Sequence, residues 1–134
     1  KENYPEIYRN FTYKSEILKL RKLDSLNLKL NPCFIKIDVE GLDHLVLQGM
    51  KKLINKTQPV VLIEYNHSNF KKIYNFTKSK FDCYIYKVDT NKLVKLKSTQ
   101  IKKLMNGQVL ERKYNKNSVN LFYISKNYKF KNHK

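Results

Sequence analysis

The sequence predicts an α/β fold in which parallel strands alternate with crossover helices and the last strand is antiparallel. Two apolar runs, residues 33–39 and 60–63, are typical of strands in a parallel sheet. Residues 42–54 lie between them and place apolar side chains at a helical period, as a crossover between parallel strands requires. We therefore expect the two strands to be adjacent and the first to be buried on both faces, with Gly41 allowing a tight turn into the helix.

The sequence before the first run carries weaker signals. Residues 1–13 mix aromatic and polar side chains without a clear period and indicate a loop. Residues 17–23 mix apolar and basic side chains, which predicts a short strand. We expect residues 1–30 to form a lead-in with a short strand, residues 31–126 to form the main domain, and residues 127–134 to form a basic tail.

The rest of the chain continues the α/β pattern. It predicts helices over residues 69–79 and 99–105, strands over residues 81–88, 92–96 and 119–125, and a polar surface loop over residues 107–117. The strands over residues 81–88 and 92–96 are separated by a short turn and form a hairpin. Because a loop rather than a long helix precedes the last strand, that strand is expected to be antiparallel to its neighbour.

The composition is strongly basic, with a net charge of +17. The basic residues are 25 Lys and only 3 Arg, spread through every segment, whereas Arg is the residue that reads bases and binds phosphate with two donors. We therefore favour ordinary solvated lysines and expect no specific nucleic-acid partner. A basic module that binds nucleic acid or an anionic surface without catalysis remains the alternative.

Two further features of the composition bear on the compartment. The sequence has no apolar run long enough to span a membrane, so we expect no transmembrane segment. Cys33 and Cys83 lie in apolar runs, where free cysteine behaves as a small buried hydrophobe. A reducing cytoplasm is therefore the default location.

Charged residues cluster at the carboxyl end of the first predicted strand. Side chains alternate along a strand, so Lys36, Asp38 and Glu40 share one side, and ligands of open α/β sheets bind outside these strand ends. We predict Asp38 and Glu40 as catalytic residues and Lys36 as a substrate-binding residue that forms a buried ion pair with Asp38. A purely structural role, in which Asp38 caps the helix and pairs with Lys36, is equally compatible with the spacing.

A second polar group follows the next parallel strand and would open onto the same rim. We predict Glu64, Asn66 and His67 as substrate-binding residues, since Glu64 could bind a hydroxyl and His67 is a base near pH 7. The alternative is a helix start capped by Asn66 or Ser68. The three His and two Cys form no converging ligand set, so no metal site is predicted.

The same residues resemble a known family. The block Phe-Ile-Lys-Ile-Asp-Val-Glu-Gly at residues 34–41, then Val46, Leu47 and Gly49, then Pro59 and a strand ending in Glu64, is similar to the C-terminal hallmark of FkbM-family methyltransferases. Residues 23–26 (Leu-Asp-Ser-Leu) and 120–122 (Asn-Leu-Phe) resemble two further segments of that family. The resemblance implies the C-terminal half of a Rossmann-like class I methyltransferase sheet.

The resemblance also implies a reaction and its partners. The family moves a methyl group from S-adenosylmethionine to a hydroxyl oxygen, often on a sugar or a natural product, so we expect a small-molecule or glycan hydroxyl acceptor. Its cofactor half carries a Gly-rich turn, which none of Gly41, Gly49 and Gly107 forms. We therefore expect this chain to be an inactive fragment, with the cofactor bound mainly by a missing N-terminal half, and we assign no cofactor-binding residues.

Overall fold

The computed structural model describes residues 16–108 and 119–129. After a 3₁₀ helix over Leu23–Ser25, its elements are β1 (Phe34–Ile37), α1 (Asp43–Gly49), α2 (Lys51–Thr57), β2 (Val60–Glu64), α3 (His67–Thr77), β3 (Phe81–Lys87), β4 (Lys92–Lys95), α4 (Ser98–Met105) and β5 (Asn120–Ser125). The predicted loop over residues 1–13, most of the predicted loop over residues 107–117, and the end of the basic tail lie outside the described residues. None of the described helices is both long and apolar enough to cross a membrane.

The described strands form one sheet in the order β1-β2-β5-β3-β4. β1 and β2 are adjacent and parallel, with Phe34 opposite Val60 and Ile37 opposite Ile63. β5 lies between β2 and β3 and is antiparallel to both, while β3 and β4 form an antiparallel hairpin. The predicted parallel pair, the hairpin and the antiparallel last strand are therefore confirmed.

The crossover between β1 and β2 consists of two helices rather than the single helix that the sequence predicts. The break falls at Met50, which separates α1 from α2. Asp24 explains it, because its carboxylate accepts hydrogen bonds from the backbone nitrogens of Lys52 at 2.8 Å and Leu53 at 3.1 Å. These amides belong to the first turn of α2, where donors lack partners within the helix. A side chain from another segment therefore caps α2.

The short strand predicted over residues 17–23 is wrong. Residues 16–22 have no regular structure, and Ile17, Leu18 and Leu20 are exposed. The segment continues into the 3₁₀ helix that carries Asp24. It passes so close to α1 that a Cβ added to Gly49 would lie 3.6 Å from the Cα of Lys22. The segment is thus held by the junction of α1 and α2 and does not pair with the described sheet.

One face of the sheet forms the core. The strand register places Ile37, Ile63, Leu121 and Ile85 in one row across it, and all four are buried. α1 and α2 connect β1 to β2, and α3 connects β2 to β3. Both connections run in the same direction across the sheet, so right-handed connections place these helices on the same face. Contacts of α1 with α3 and of α3 with α4 agree with that arrangement.

β1 is the edge strand of the described sheet, and this position changes its burial. The sequence predicts a strand buried on both faces, but only Ile37 is buried, Phe34 is 49% exposed and Cys33 is exposed. The prediction fails because Phe34 and Lys36 point to the face opposite Ile37, where Leu62 of β2 and Phe122 of β5 are also only half-buried. Cys83 lies in β3 and is buried as predicted, and burial raises the pKa of its thiol to about 12.

Candidate active site

A small crevice lies at the carboxyl ends of β1 and β2. The loop after β1 contributes Asp38, Glu40, Gly41 and Asp43, and the end of β2 contributes Glu64, Tyr65 and Asn66. Four of these residues are carboxylates, in a chain that has only 11 Asp and Glu against 28 Lys and Arg. The crevice therefore concentrates negative charge in a basic protein. It lies outside the carboxyl ends of the strands, where open α/β sheets bind ligands.

A tight turn over residues 39–42 carries Glu40 into the crevice. Glu40 and Gly41 have φ values of 44° and 88°, and the backbone nitrogen of Leu42 donates to the carbonyl of Val39 at 3.3 Å. Positive φ at both central residues is the pattern of a type I′ turn. Gly41 adopts it freely, as predicted, but in Glu40 the left-handed backbone costs about 1 kcal/mol. The turn thus places the Glu40 carboxylate at the rim, on a backbone that is strained at Glu40.

Two buried polar residues lie beneath the turn. Asp43 is 4% exposed and Asn69, on α3, is 1% exposed. The Nδ2 of Asn69 donates to Oδ2 of Asp43 at 2.8 Å, and the backbone nitrogen of Val39 donates to Oδ1 of Asp43 at a longer 3.4 Å. Sequence reasoning missed both residues. A usable signal was the position of Asn69 four residues before Ile73, on the apolar face of α3.

Lys36 and Asp38 form an ion pair, but an exposed one. Nζ of Lys36 lies 2.9 Å from Oδ2 of Asp38, and the two side chains are 59% and 45% exposed. The hydrogen bond that Lys36 donates to Asp38 and the negative charge of Asp38 raise the pKa of Lys36, with a smaller contribution from Glu64. The predicted buried pair is therefore wrong, because Lys36 points to the sheet face opposite the buried Ile37. Lys36 contacts Asp38 without lining the crevice.

Asn66 and His67 follow β2, as predicted, but their side chains separate. The Oδ1 of Asn66 accepts from the backbone nitrogen of Ser68 at 3.0 Å and from its hydroxyl at 2.7 Å, so Asn66 caps α3 while still lining the crevice. The exposed ring of His67 lies against Gly107 instead, where an added Cβ would come within 3.2 Å of it. His67 therefore contacts the end of α4 rather than the crevice lining.

Tyr65 forms a fixed wall of the crevice that sequence reasoning also missed. Its hydroxyl donates to the carbonyl of Leu104 at 2.7 Å, and its ring meets Phe70 edge to face at 5.4 Å. Desolvation of the half-buried hydroxyl raises the pKa of Tyr65. These contacts fix the end of β2 to α4, which no local pattern in the sequence indicates.

The crevice has a defined chemical capacity. Its carboxylates accept hydrogen bonds, and the Nδ2 of Asn66 faces Gly41 across the crevice, 3.9 Å from the position of an added Cβ. Within residues 16–108 and 119–129, no three His, Cys, Asp or Glu residues are arranged to hold a metal ion. The arrangement suits a ligand that carries several hydroxyl groups, each of which can donate to a carboxylate or accept from an amide.

Comparison with known proteins identifies one family. Residues 3–88 match the family described as the methyltransferase FkbM domain, a segment that includes the whole crevice. β4, α4 and β5 lie beyond the match, so the similarity of residues 120–122 to the family's closing strand stays a prediction. No curated protein and no solved structure matches the chain.

Proposed function

Since the chain belongs to the FkbM methyltransferase family, we propose that it transfers a methyl group from S-adenosylmethionine to a hydroxyl oxygen of a sugar or natural product. The observation that carries this proposal is the crevice itself. Asp38, Glu40 and Glu64 meet there within the matched segment, at the carboxyl ends of parallel strands. A carboxylate-lined site of this kind is suited to hydroxyl groups of an acceptor.

Glu40 is the residue we propose to act on the reacting hydroxyl. A neutral hydroxyl is a weak nucleophile, and a carboxylate within hydrogen-bond reach can orient it and accept its proton during transfer. Glu64 would accept hydrogen bonds from a neighbouring acceptor hydroxyl. Asn66 would donate through Nδ2, because its Oδ1 already accepts from Ser68. Much of the rate enhancement would come from holding the acceptor oxygen in line with the methyl group.

The remaining predicted residues take supporting roles. Asp38 shares its carboxylate with Lys36, so we propose that it binds the acceptor at the rim and that Lys36 orients it. His67 contacts Gly107, and we give it no part in proton transfer.

This crevice does not fit the whole cofactor. Their crevice is small and lined by carboxylates, whereas an adenine ring needs an apolar slot of its own. Tyr65, the aromatic residue in the lining, has its hydroxyl bound to Leu104. S-adenosylmethionine supplies the methyl group when bound, and we propose that residues outside this crevice bind most of it.

The test is methyl transfer by the complete gene product, supplied with tritiated S-adenosylmethionine and a panel of sugars and hydroxylated ring compounds. We expect Glu40→Gln to lower the transfer rate by about 100-fold, the usual order for removal of a general base. Its melting temperature should stay near the unmodified value, because Glu40 is exposed.

Two variants complete the test. Asp38→Asn should lower the rate but leave the melting temperature nearly unchanged, because the pair with Lys36 is exposed. Asp89→Asn, in the hairpin turn away from the crevice, is the control and should change neither quantity. Transfer at the unmodified rate by Glu40→Gln would show that residues 39–42 form only a structural turn.

A further inference from the structure

We propose that Asp43, held by Asn69, is a positioning residue that fixes the turn carrying Glu40. This inference rests on the proposed function, in which Glu40 acts on the acceptor hydroxyl. It adds a buried carboxylate–amide pair, between α1 and α3, that sets where the Glu40 carboxylate is presented.

The geometry places Asp43 at a junction of three elements. It is the first residue of α1, its Oδ1 accepts from the backbone nitrogen of Val39 in the turn, and its Oδ2 accepts from Asn69 on α3. One side chain therefore connects the end of β1, the start of α1 and a neighbouring helix. Because Asp43 and Asn69 are both almost fully buried, solvent does not compete strongly for these hydrogen bonds.

The turn needs such a connection. Glu40 has a φ of 44°, which a residue with a Cβ keeps only when its surroundings enforce it. Glu40 is exposed and makes no side-chain hydrogen bond within the described part of the chain, so it does not hold itself in place. The contacts of Asp43 with Val39 and Asn69 supply that restraint from below.

Asp43 acts through Glu40 rather than on the substrate. Both of its carboxylate oxygens already accept hydrogen bonds from the protein, and its 4% exposure leaves little surface for a ligand. What matters is then its hydrogen-bond geometry rather than its charge. An asparagine of the same shape can accept from Val39 through Oδ1 and, once the Asn69 amide group turns over, donate through Nδ2 to the Oδ1 of Asn69, which has no partner among the described residues.

Three variants of the complete gene product test this role. Asp43→Ala removes both hydrogen bonds, whereas Asp43→Asn keeps the shape and can still accept from Val39 while its amide donates to the turned-over Asn69 amide. Thr77→Val is the matched control, because Thr77 is also buried on α3 and donates to the carbonyl of Ile73 at 2.9 Å, away from the turn. Each variant is measured by hydrogen–deuterium exchange of the peptide covering residues 38–42 and by the kinetics of methyl transfer.

We expect Asp43→Ala to speed exchange in residues 38–42 by about tenfold, since a local opening is made easier. It should lower kcat by about 10- to 100-fold, since misplacing a reacting group by about 1 Å has effects of that size, while KM for S-adenosylmethionine stays unchanged. Asp43→Asn should restore both exchange and kcat. Thr77→Val should leave both near the unmodified values even where it lowers the melting temperature.

The two readouts separate this inference from the proposed function. If the complete gene product transfers no methyl group to any acceptor, the proposed function is wrong, and the exchange rates still decide whether Asp43 holds the turn. Unchanged exchange and kcat in Asp43→Ala would overturn the positioning role. So would an Asp43→Asn variant as impaired as Asp43→Ala, because the charge would then matter instead of the hydrogen bonds.

Discussion

The capping of α2 by Asp24 makes a quantitative prediction for Asp24→Ala. The substitution leaves the backbone nitrogens of Lys52 and Leu53 without the acceptor that the structure provides. Removal of an N-cap carboxylate costs about 1 kcal/mol, and the loss of a negative charge at a helix N-terminus adds roughly 0.3–1 kcal/mol. We therefore expect the free energy of unfolding to fall by about 1–2 kcal/mol and the melting temperature by roughly 3–8 °C.

The assay is urea denaturation followed by circular dichroism, with Ser25→Ala as the matched control. Ser25 lies in the same 3₁₀ helix and donates from its exposed hydroxyl to the carbonyl of Lys22, so its loss should cost less than about 0.5 kcal/mol. Asp24→Asn should fall between the two, because one amide oxygen can still accept. An Asp24→Ala variant no less stable than Ser25→Ala would show that Asp24 does not cap α2.

Two further predictions concern the isolated chain. Calorimetry should detect weak or no binding of S-adenosylmethionine. The crevice lining does not fit the nucleoside, and β1 pairs only with β2 in the described sheet. Micromolar affinity would contradict this prediction. Ellman's reagent at pH 8 should react quickly with exposed Cys33 but with Cys83 only in guanidinium. Burial raises the pKa of Cys83 to about 12, so its reactive thiolate form is scarce at pH 8. If both thiols of the folded protein reacted quickly, the buried position of Cys83 in β3 would be wrong.

The sequence predicts those parts of the fold that depend on local periods and short connections. Apolar runs, a helical crossover and a short turn indicate the β1–β2 pair and the β3–β4 hairpin, and both are confirmed. The rim could be predicted in part for the same reason, since polar residues that follow adjacent parallel strands must meet. Asp38, Glu40, Glu64 and Asn66 do meet there.

The rest depends on contacts between distant segments. The start of α2 after Met50 is capped by Asp24, which precedes Lys52 by 28 residues, and the buried Asp43 accepts a hydrogen bond from Asn69, 26 residues later. The exposure of β1 depends on which face of the sheet the helices cover rather than on its own residues. The alternation of side chains along an ideal strand also predicts that Glu40 lies on the same side as Lys36 and Asp38. This prediction assumes that the strand continues to Glu40, whereas β1 ends at Ile37 and Glu40 lies in a turn with a left-handed backbone.

The insertion of β5 between β2 and β3 has a consequence for the order in which the protein folds. During synthesis β2, β3 and β4 leave the ribosome well before β5, so until β5 follows no described strand joins β2 to β3. At about 5–20 residues per second, several seconds pass between the completion of β3 and the arrival of its central partner. Such long-range pairing is slow, and exposed strand edges bind other chains. A chain truncated before Asn120 therefore lacks the strand that joins β2 to β3, and its exposed strand edges make it prone to aggregate.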